Sequence, residues 1–308
     1  MLVIIYFIEP HLLVVGGIRR IIEVANRLQK YGHEVRIFTP KGTPCLWLHN
    51  KIPTHKISKL SSYSKADVVI FNLAEQYREV LAVQAKAKVF WVLAPEGLYK
   101  NPDIPLAALR QGFHLATNST FTKEYILKYV KVKYDIPVFP GGIDPSLFKC
   151  DEKIPKAYHV LLYGSARPWK GTELILKAVH SLPNIKYLKM EGTNTTQEGL
   201  YTLYNHSSLY CCANQAEGFS LTQLEAMACG CPVVTADDGG SRDYVINGVN
   251  AFVVKRTVEG IKHGISTLLN NTALCKKLKA GGLKTAKEER FSWDVISKNF
   301  ETYLKTLC

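Results

Sequence analysis

The sequence predicts an α/β protein made of two successive doubly wound domains. Three observations carry that expectation. The chain has 308 residues, room for two domains of roughly 100–200 residues each. Short apolar runs alternate with segments of helical spacing from one end to the other. A turn cluster, Pro140-Gly141-Gly142, separates two such series.

In chain order, Leu2–Ile8 is a continuous apolar run, as a strand buried on both faces requires. Glu9–Gly17 reads as a loop ending in Gly16-Gly17. Ile18–Tyr31 carries Ile18, Ile21, Ile22, Ala25 and Leu28 at helical spacing, and Gly32 stops it. Val35–Thr39 is the second strand, completing a βαβ unit and implying a parallel sheet. Val68–Phe71 and Val89–Leu93 are further strands, and Thr122–Val130 is helical. The second series runs through the strand Val160–Tyr163, the helix Thr172–Leu182 and the strand Ser208–Cys212. It continues with the helix Leu221–Cys229 and the strands Pro232–Thr235 and Ala251–Val254. The last stretch is helical, with Ser292–Leu307 amphipathic. The expected division is 1–145, 146–291 and a closing helix 292–308. A ligand is expected at the carboxyl ends of the strands, in a cleft between the domains.

Hydrophobic residues make up 47% and charged residues 21%, which excludes a globally disordered chain. No apolar run approaches ~18 residues, so no spanning helix is expected. The apolar start lacks a basic leader and reads as a strand rather than a signal peptide. The net charge is +13; residues 1–144 hold 19 basic and 11 acidic side chains, and the remainder holds 20 and 15. That excess suits phosphate-bearing small molecules, an anionic membrane surface or nucleic acid, besides a plain solvated surface. The absence of a nucleic-acid motif and the dispersal of the charge count against nucleic acid. The eight cysteines form no CxxC pair and no zinc spacing, so no metal site is expected. Cys211 and Cys212 read as small buried strand residues in a reducing, cytoplasmic setting.

Three stretches carry chemistry. Gly16-Gly17 follows a strand and opens a helix, with Arg19 and Arg20 beside it. Such a start attracts anions, although a tight structural turn gives the same pattern. It is not GxGxxG, so the nicotinamide fingerprint is missing. Gly164-Ser165-Ala166-Arg167-Pro168-Trp169-Lys170-Gly171 follows the first strand of the second series. Arg167 and Lys170 suit a diphosphate there, or are exposed surface cations. In Glu217-Gly218-Phe219-Ser220-Leu221-Thr222-Gln223-Leu224-Glu225, two carboxylates stand a little over two helical turns apart. Ionised carboxylates only accept hydrogen bonds, which matches sugar and ribose hydroxyls, and the amides at the helix start suit phosphate. The alternatives are a helix-start charge for Glu217 and a solvated helix residue for Glu225.

The run EGFSLTQLEAMACGCPVVTADDGGSRDYVINGVNAFVV resembles the donor-binding signature of glycosyltransferase family four. GGIRRIIEVANRLQKYGHEV, FPGGIDPSLF, YGSARPWKG and FSWDVISKNFETYL agree with that family in the same order. The resemblance implies the GT-B fold, two Rossmann-like domains facing across a cleft. It also implies metal-independent transfer of a sugar from a nucleotide-diphosphate sugar, UDP- or GDP-linked, with retention of the anomeric configuration. By the same resemblance Glu217 holds donor-sugar hydroxyls, Glu225 the ribose, and Lys170 the diphosphate. The amides of Gly218, Phe219, Ser220 and Leu221 meet sugar and phosphates, and Gly16 and Gly17 approach the diphosphate. No cofactor or metal is implied. The expected acceptor is a glycan, lipid or small-molecule hydroxyl, and the basic first domain adds the anionic inner face of a membrane as a further expected partner.

Four departures stand against the family pattern. Ser165 occupies the family's arginine position, leaving Arg167 as the substitute cation. The stretch after Gly192 is short, which leaves the base open. Asp243 replaces a glutamate, and the first-domain histidine has no counterpart, with Glu96 and His114 as the acceptor-side candidates. A nucleotide-sugar epimerase or hydrolase, and a catalytically silent nucleotide-sugar-binding protein, are the alternative functions.

Overall fold

A computed structural model describes residues 3–13, 15–63, 65–94, 102–191 and 196–308. The chain divides into two compact units, one of residues 1–141 with 293–308 and one of residues 142–292.

The first unit is built on a six-stranded parallel sheet of β1 (Ile4–Ile8), β2 (Glu34–Thr39), β3 (Thr54–Lys56), β4 (Ala66–Phe71), β5 (Ala85–Val92) and β6 (His114–Thr117). The spatial order is β3-β2-β1-β4-β5-β6, the doubly wound order with β1 central. Side chains alternate across each strand, so Ile5 and Phe7 enter one core while Tyr6 and Ile8 enter the other. The first core is covered by α1 (Gly16–Lys30) and by the last helix of the chain, α10 (Trp293–Thr306). The other lies under α2 (Tyr77–Ala82), α3 (Asp103–Leu109) and α4 (Thr120–Leu127).

Aromatic packing and one buried polar contact fix α10. Phe300 stacks on Trp91 with ring centres 4.5 Å apart. His33 Nδ1 accepts from the Val3 amide, so the ring carries its proton on Nε2 and donates to Glu301 Oε1 at 3.0 Å. Burial alone would push the Glu301 carboxyl up. Hydrogen bonds from Lys298, Lys305 and His33 outweigh it and hold the group at about 2.

The second unit has a five-stranded parallel sheet of β7 (Tyr158–Gly164), β8 (Tyr187–Glu191), β9 (Ser207–Cys212), β10 (Val233–Ala236) and β11 (Phe252–Val254), ordered β11-β10-β9-β7-β8. One face packs on α6 (Gln197–His206) and α7 (Leu221–Ala228). The other packs on α5 (Thr172–His180), α8 (Val258–Asn270) and α9 (Thr272–Ala286). Cys211 and Cys212 point into opposite cores, both buried and free.

The expected helices and strands are present with ends moved by a few residues. Three strands escaped the periodicity reading. β3 has only three residues, and β6 and β8 interrupt their apolar runs with His114 and Lys189. Among the described residues no helix is long and apolar enough to cross a membrane.

Candidate functional site

In the second unit, three loops leave the carboxyl ends of β7, β9 and β10, and each holds the next. The β7 loop begins with Ser165, whose amide donates to Thr172 Oγ1 while that hydroxyl donates to the Tyr163 carbonyl. A single 3-10 turn, Pro168–Lys170, then ends in Gly171 at φ +69°. A Cβ on Gly171 would stand 2.2 Å from the Ala213 carbonyl oxygen, so glycine is required by both conformation and space. Arg256 clamps this loop to the next, donating to the carbonyls of Ala213 at 2.8 Å and Pro168 at 3.2 Å.

That clamp sets Lys170 against Glu217. The Lys170 ammonium pairs with Glu217 Oε1, both side chains about 15% exposed. The Glu217 amide donates to the Asp238 carbonyl at 2.9 Å. Gly240 allows this approach, since a Cβ there would lie 2.3 Å from the Glu217 carbonyl oxygen. The β9 loop is thus held between its two neighbours.

The turn into α7 is unusual. Ser220 sits at φ 62°, ψ 61°, a left-handed conformation that costs a non-glycine residue about 1–2 kcal/mol. Tyr244 donates its hydroxyl to the Ser220 carbonyl at 2.7 Å, and Gln223 Nε2 donates to Ser220 Oγ at 2.9 Å. The Asp238 carboxylate, only 1% exposed, accepts from Gln223 at 2.8 Å and from the Ser241 amide and hydroxyl at 2.9 and 2.6 Å. Burial pushes the Asp238 carboxyl up to about 6, with the Ser241 and Ser220 hydrogen bonds opposing.

The residues singled out from sequence fall into distinct groups. Lys170, Ser165, Glu217, Gly218, Phe219 and Ser220 lie on these clamped loops, and Leu221 is the first residue of α7. The Phe219 ring is buried between Tyr244 and Phe291, so only its backbone can meet a ligand. Arg167 is exposed, its guanidinium 5.7 Å over the Trp169 ring. Glu225 is 3% exposed and accepts the Tyr204 hydroxyl at 3.1 Å, which rules out the solvated-helix alternative.

In the first unit, Gly16 and Gly17 are the first two residues of α1, not the end of the expected loop. Among the described residues a Cβ on Gly17 would meet only Leu93 Cδ1, at 3.4 Å, and neither glycine has positive φ. Arg19 and Arg20 are buried, 3% and 2% exposed, rather than exposed beside the glycines. The Arg20 guanidinium lies 5.9 Å from the Trp91 ring centre, and burial lowers it to about 9. His114 opens β6, at the end of the sheet away from the carboxyl edge. Glu96 lies outside the described residues.

Sequence reasoning missed Asp238, Gln223, Tyr204 and Tyr244. Gln223 is in the donor run itself, but its partner arrives from the β10 loop. Spacing alone does not register such a pairing.

The fold is that of the GT-B glycosyltransferases. Sucrose-phosphate synthase from Thermosynechococcus elongatus superposes with a TM-score of 0.81 at 15% identity, covering 99% of both chains. HepE from Anabaena, solved with UDP-glucose, superposes at 0.77 with 17% identity, over 98% of this chain and 99% of that one. The family model for glycosyl transferases group 1 matches residues 188–285, which contain β9, α7 and the Asp238 loop. An uncharacterized glycosyltransferase from Methanocaldococcus jannaschii is 26% identical over 61% of this chain and 57% of its own length. The capsular polysaccharide biosynthesis glycosyltransferase CapM from Staphylococcus aureus is 23% identical over 81% of this chain and 65% of its own. The chain thus spans between half and two thirds of these two relatives. Together the matches support the GT-B glycosyltransferase group 1 superfamily.

Proposed function

We propose that this chain transfers a hexosyl group from a UDP- or GDP-linked sugar to a hydroxyl acceptor, retaining the anomeric configuration and using no metal ion. The observation that carries the reading is the Lys170–Glu217 pair, partly exposed on clamped loops beside the start of α7. That HepE is solved with UDP-glucose supports a nucleotide-sugar donor.

In this reading each partner of the ion pair holds one half of the donor. Without donor, ammonium and carboxylate neutralise each other. A donor diphosphate takes Lys170, and the sugar hydroxyls donate to the released Glu217 carboxylate. Arg167, exposed nearby in sequence, supplies a second cation to the diphosphate. Glu225 reaches a ribose hydroxyl by exchanging its Tyr204 bond. In the transfer, the bond from the anomeric carbon to the diphosphate oxygen breaks as the acceptor oxygen bonds that carbon on the same face. The acceptor proton passes to the departing phosphate oxygen. Lys170 stabilises the charge that grows there, a contribution of about 3–4 kcal/mol in comparable sites.

The test is incubation with UDP-glucose or GDP-mannose and a panel of hydroxyl acceptors, with the product anomer read by NMR. An α-linked product from these α-donors is expected. A β-linked product overturns retention, and donor turnover at the same rate without acceptor overturns transfer in favour of hydrolysis. Binding with neither activity favours the silent binding protein.

We further propose that the first unit meets an anionic bilayer carrying the acceptor. Leu13 and Leu46 are 64% and 85% exposed on two loops joined by a 3.0 Å bond from Trp47 Nε1 to the Leu12 carbonyl. Residues 41–65 carry five lysines and no carboxylate. Failure to sediment with phosphatidylglycerol vesicles at low salt would remove this part of the reading.

A further inference from the structure

We propose that Asp238 is a positioning residue of the donor loop: its ionised carboxylate, through Gln223 and Ser220, holds the left-handed turn that sets the backbone amides leading into α7. This rests on the reading of that loop as the donor site.

Gln223 Nε2 has two hydrogens, directed to its two short acceptors, Asp238 Oδ2 at 2.8 Å and Ser220 Oγ at 2.9 Å, with Cys212 Sγ a longer third contact at 3.5 Å. Its Oε1 is buried and has no partner among the described residues. Ser220 in turn donates to the Asp238 carboxylate. Ser241 fills the other carboxylate oxygen from its amide and hydroxyl. Every described contact on Asp238 is a donor, which only the ionised group satisfies in full. A proton on Oδ2 would need an acceptor. Rotating the Gln223 amide supplies one in Oε1, but Nε2 then leaves both Asp238 and Ser220. The Gln223 bond that restrains the Ser220 side chain is lost at that point, leaving the Tyr244 bond to the Ser220 carbonyl as the remaining hold on the left-handed turn.

The same residue positions the loop twice. Its carbonyl accepts the Glu217 amide and its carboxylate restrains Ser220, so both ends of Glu217–Ser220 depend on one position. The titratable groups that face it are Glu217 on this loop, Cys212 on β9 and Tyr244 beyond the Gly240 turn. From α7 it meets the neutral Gln223. Burial pushes the Cys212 thiol up to about 12 and Tyr244 well above its ordinary value, so both stay neutral through the physiological range. Glu217 is the charged neighbour that raises Asp238 further. The adjacent Asp237 is engaged by Arg242 at 2.6 Å.

The sign of the pH effect separates this role from a purely structural one. The folded Asp238 titrates near 6, above the usual aspartate value of about 3.9. The native state then binds more protons than the unfolded chain between those values, so this group adds stability as pH falls through 6. Loop order changes the opposite way. Acid is expected to loosen the donor loop while leaving the fold as stable or more so.

The experiment compares wild type, Asp238→Asn and Ser241→Ala over pH 5–8. It uses hydrogen exchange of the peptide 216–224, thermal melting, and binding of UDP-glucose and GDP-mannose, whose diphosphates keep their charge over that range. At pH 7.5 Asp238→Asn is expected to exchange at least tenfold faster in that peptide, to melt no lower than wild type, and to bind donor about tenfold more weakly. Near pH 5 the two proteins converge. Ser241→Ala removes a donor to the carboxylate and moves the wild-type midpoint upward. Equal exchange of wild type and Asp238→Asn at pH 7.5, or an unmoved midpoint in a folded Ser241→Ala, overturns the proposal. Wild type that binds neither sugar nucleotide counts against the donor-site reading, while the exchange measurement still decides the role of Asp238.

Discussion

Both units open a helix at the carboxyl edge of a parallel sheet, yet they treat charge in opposite ways. In the first, the cations beside Gly16-Gly17, Arg19 and Arg20, are buried. In the second, Lys170 and Glu217 stay partly exposed because the Arg256 clamp and the Glu217–Asp238 backbone bond fix their loops from outside. The same topology thus gives one edge whose neighbouring arginines are buried and one with a charged, pre-set constellation. Holding each loop by the next is what keeps opposite charges near the surface without collapse into the core.

The largest break in this comparison is expected from Lys170→Ala. Transfer should fall by about 100–1,000-fold with melting unchanged, measured as initial rate with saturating acceptor. An unchanged rate would leave the charged edge without a function.

The glycines sharpen the contrast. Gly171→Ala combines a left-handed backbone with a Cβ 2.2 Å from a carbonyl oxygen, and should destabilise the second unit by at least about 2 kcal/mol in denaturant unfolding. Among the described residues Gly17→Ala meets only Leu93, at 3.4 Å, and should change stability by less than about 0.5 kcal/mol. If the diphosphate approaches that helix start, Gly17→Ala still weakens donor binding several-fold. Loss of binding without loss of stability is the expected pattern.

A smaller effect is expected at the α10 contact. Glu301→Gln keeps the shape and weakens the hydrogen bonds from His33, Lys298 and Lys305, costing about 1–2 kcal/mol. Glu301 sits at about 2 when folded against about 4.3 in an unfolded chain. Its contribution is therefore complete above the unfolded value and disappears as pH falls through about 2. Acid unfolding of wild type and variant should converge there. The smallest effect is expected from chelation: EDTA should leave transfer unchanged, and a rate restored by added magnesium would contradict the metal-free reading.

Much of the architecture is legible in the sequence alone. The apolar runs of β1 and β9 and the spacing of α1 allow few other readings, because strands buried on both faces have no polar alternation to confuse them. β3, β6 and β8 were missed for the converse reason: they are short or carry polar residues, and a parallel neighbour holds each of them. At the candidate site, the residue types of Glu217, Lys170 and Glu225 were readable. That Arg19 and Arg20 turn inward was not, since a helix residue's direction depends on which face the sheet covers.

The amino-acid order by itself determined the doubly wound class, the turn near Gly141 and the loop chemistry, because these follow from local periodicity and residue type. Only the tertiary structure decided which groups meet. Lys170 and Glu217 are 47 positions apart, and Gln223 and Asp238 are 15 apart on different elements. Such pairs form when parallel strands bring their carboxyl ends to one edge. The burial that follows, not the sequence interval, sets how firmly Asp238 holds its proton.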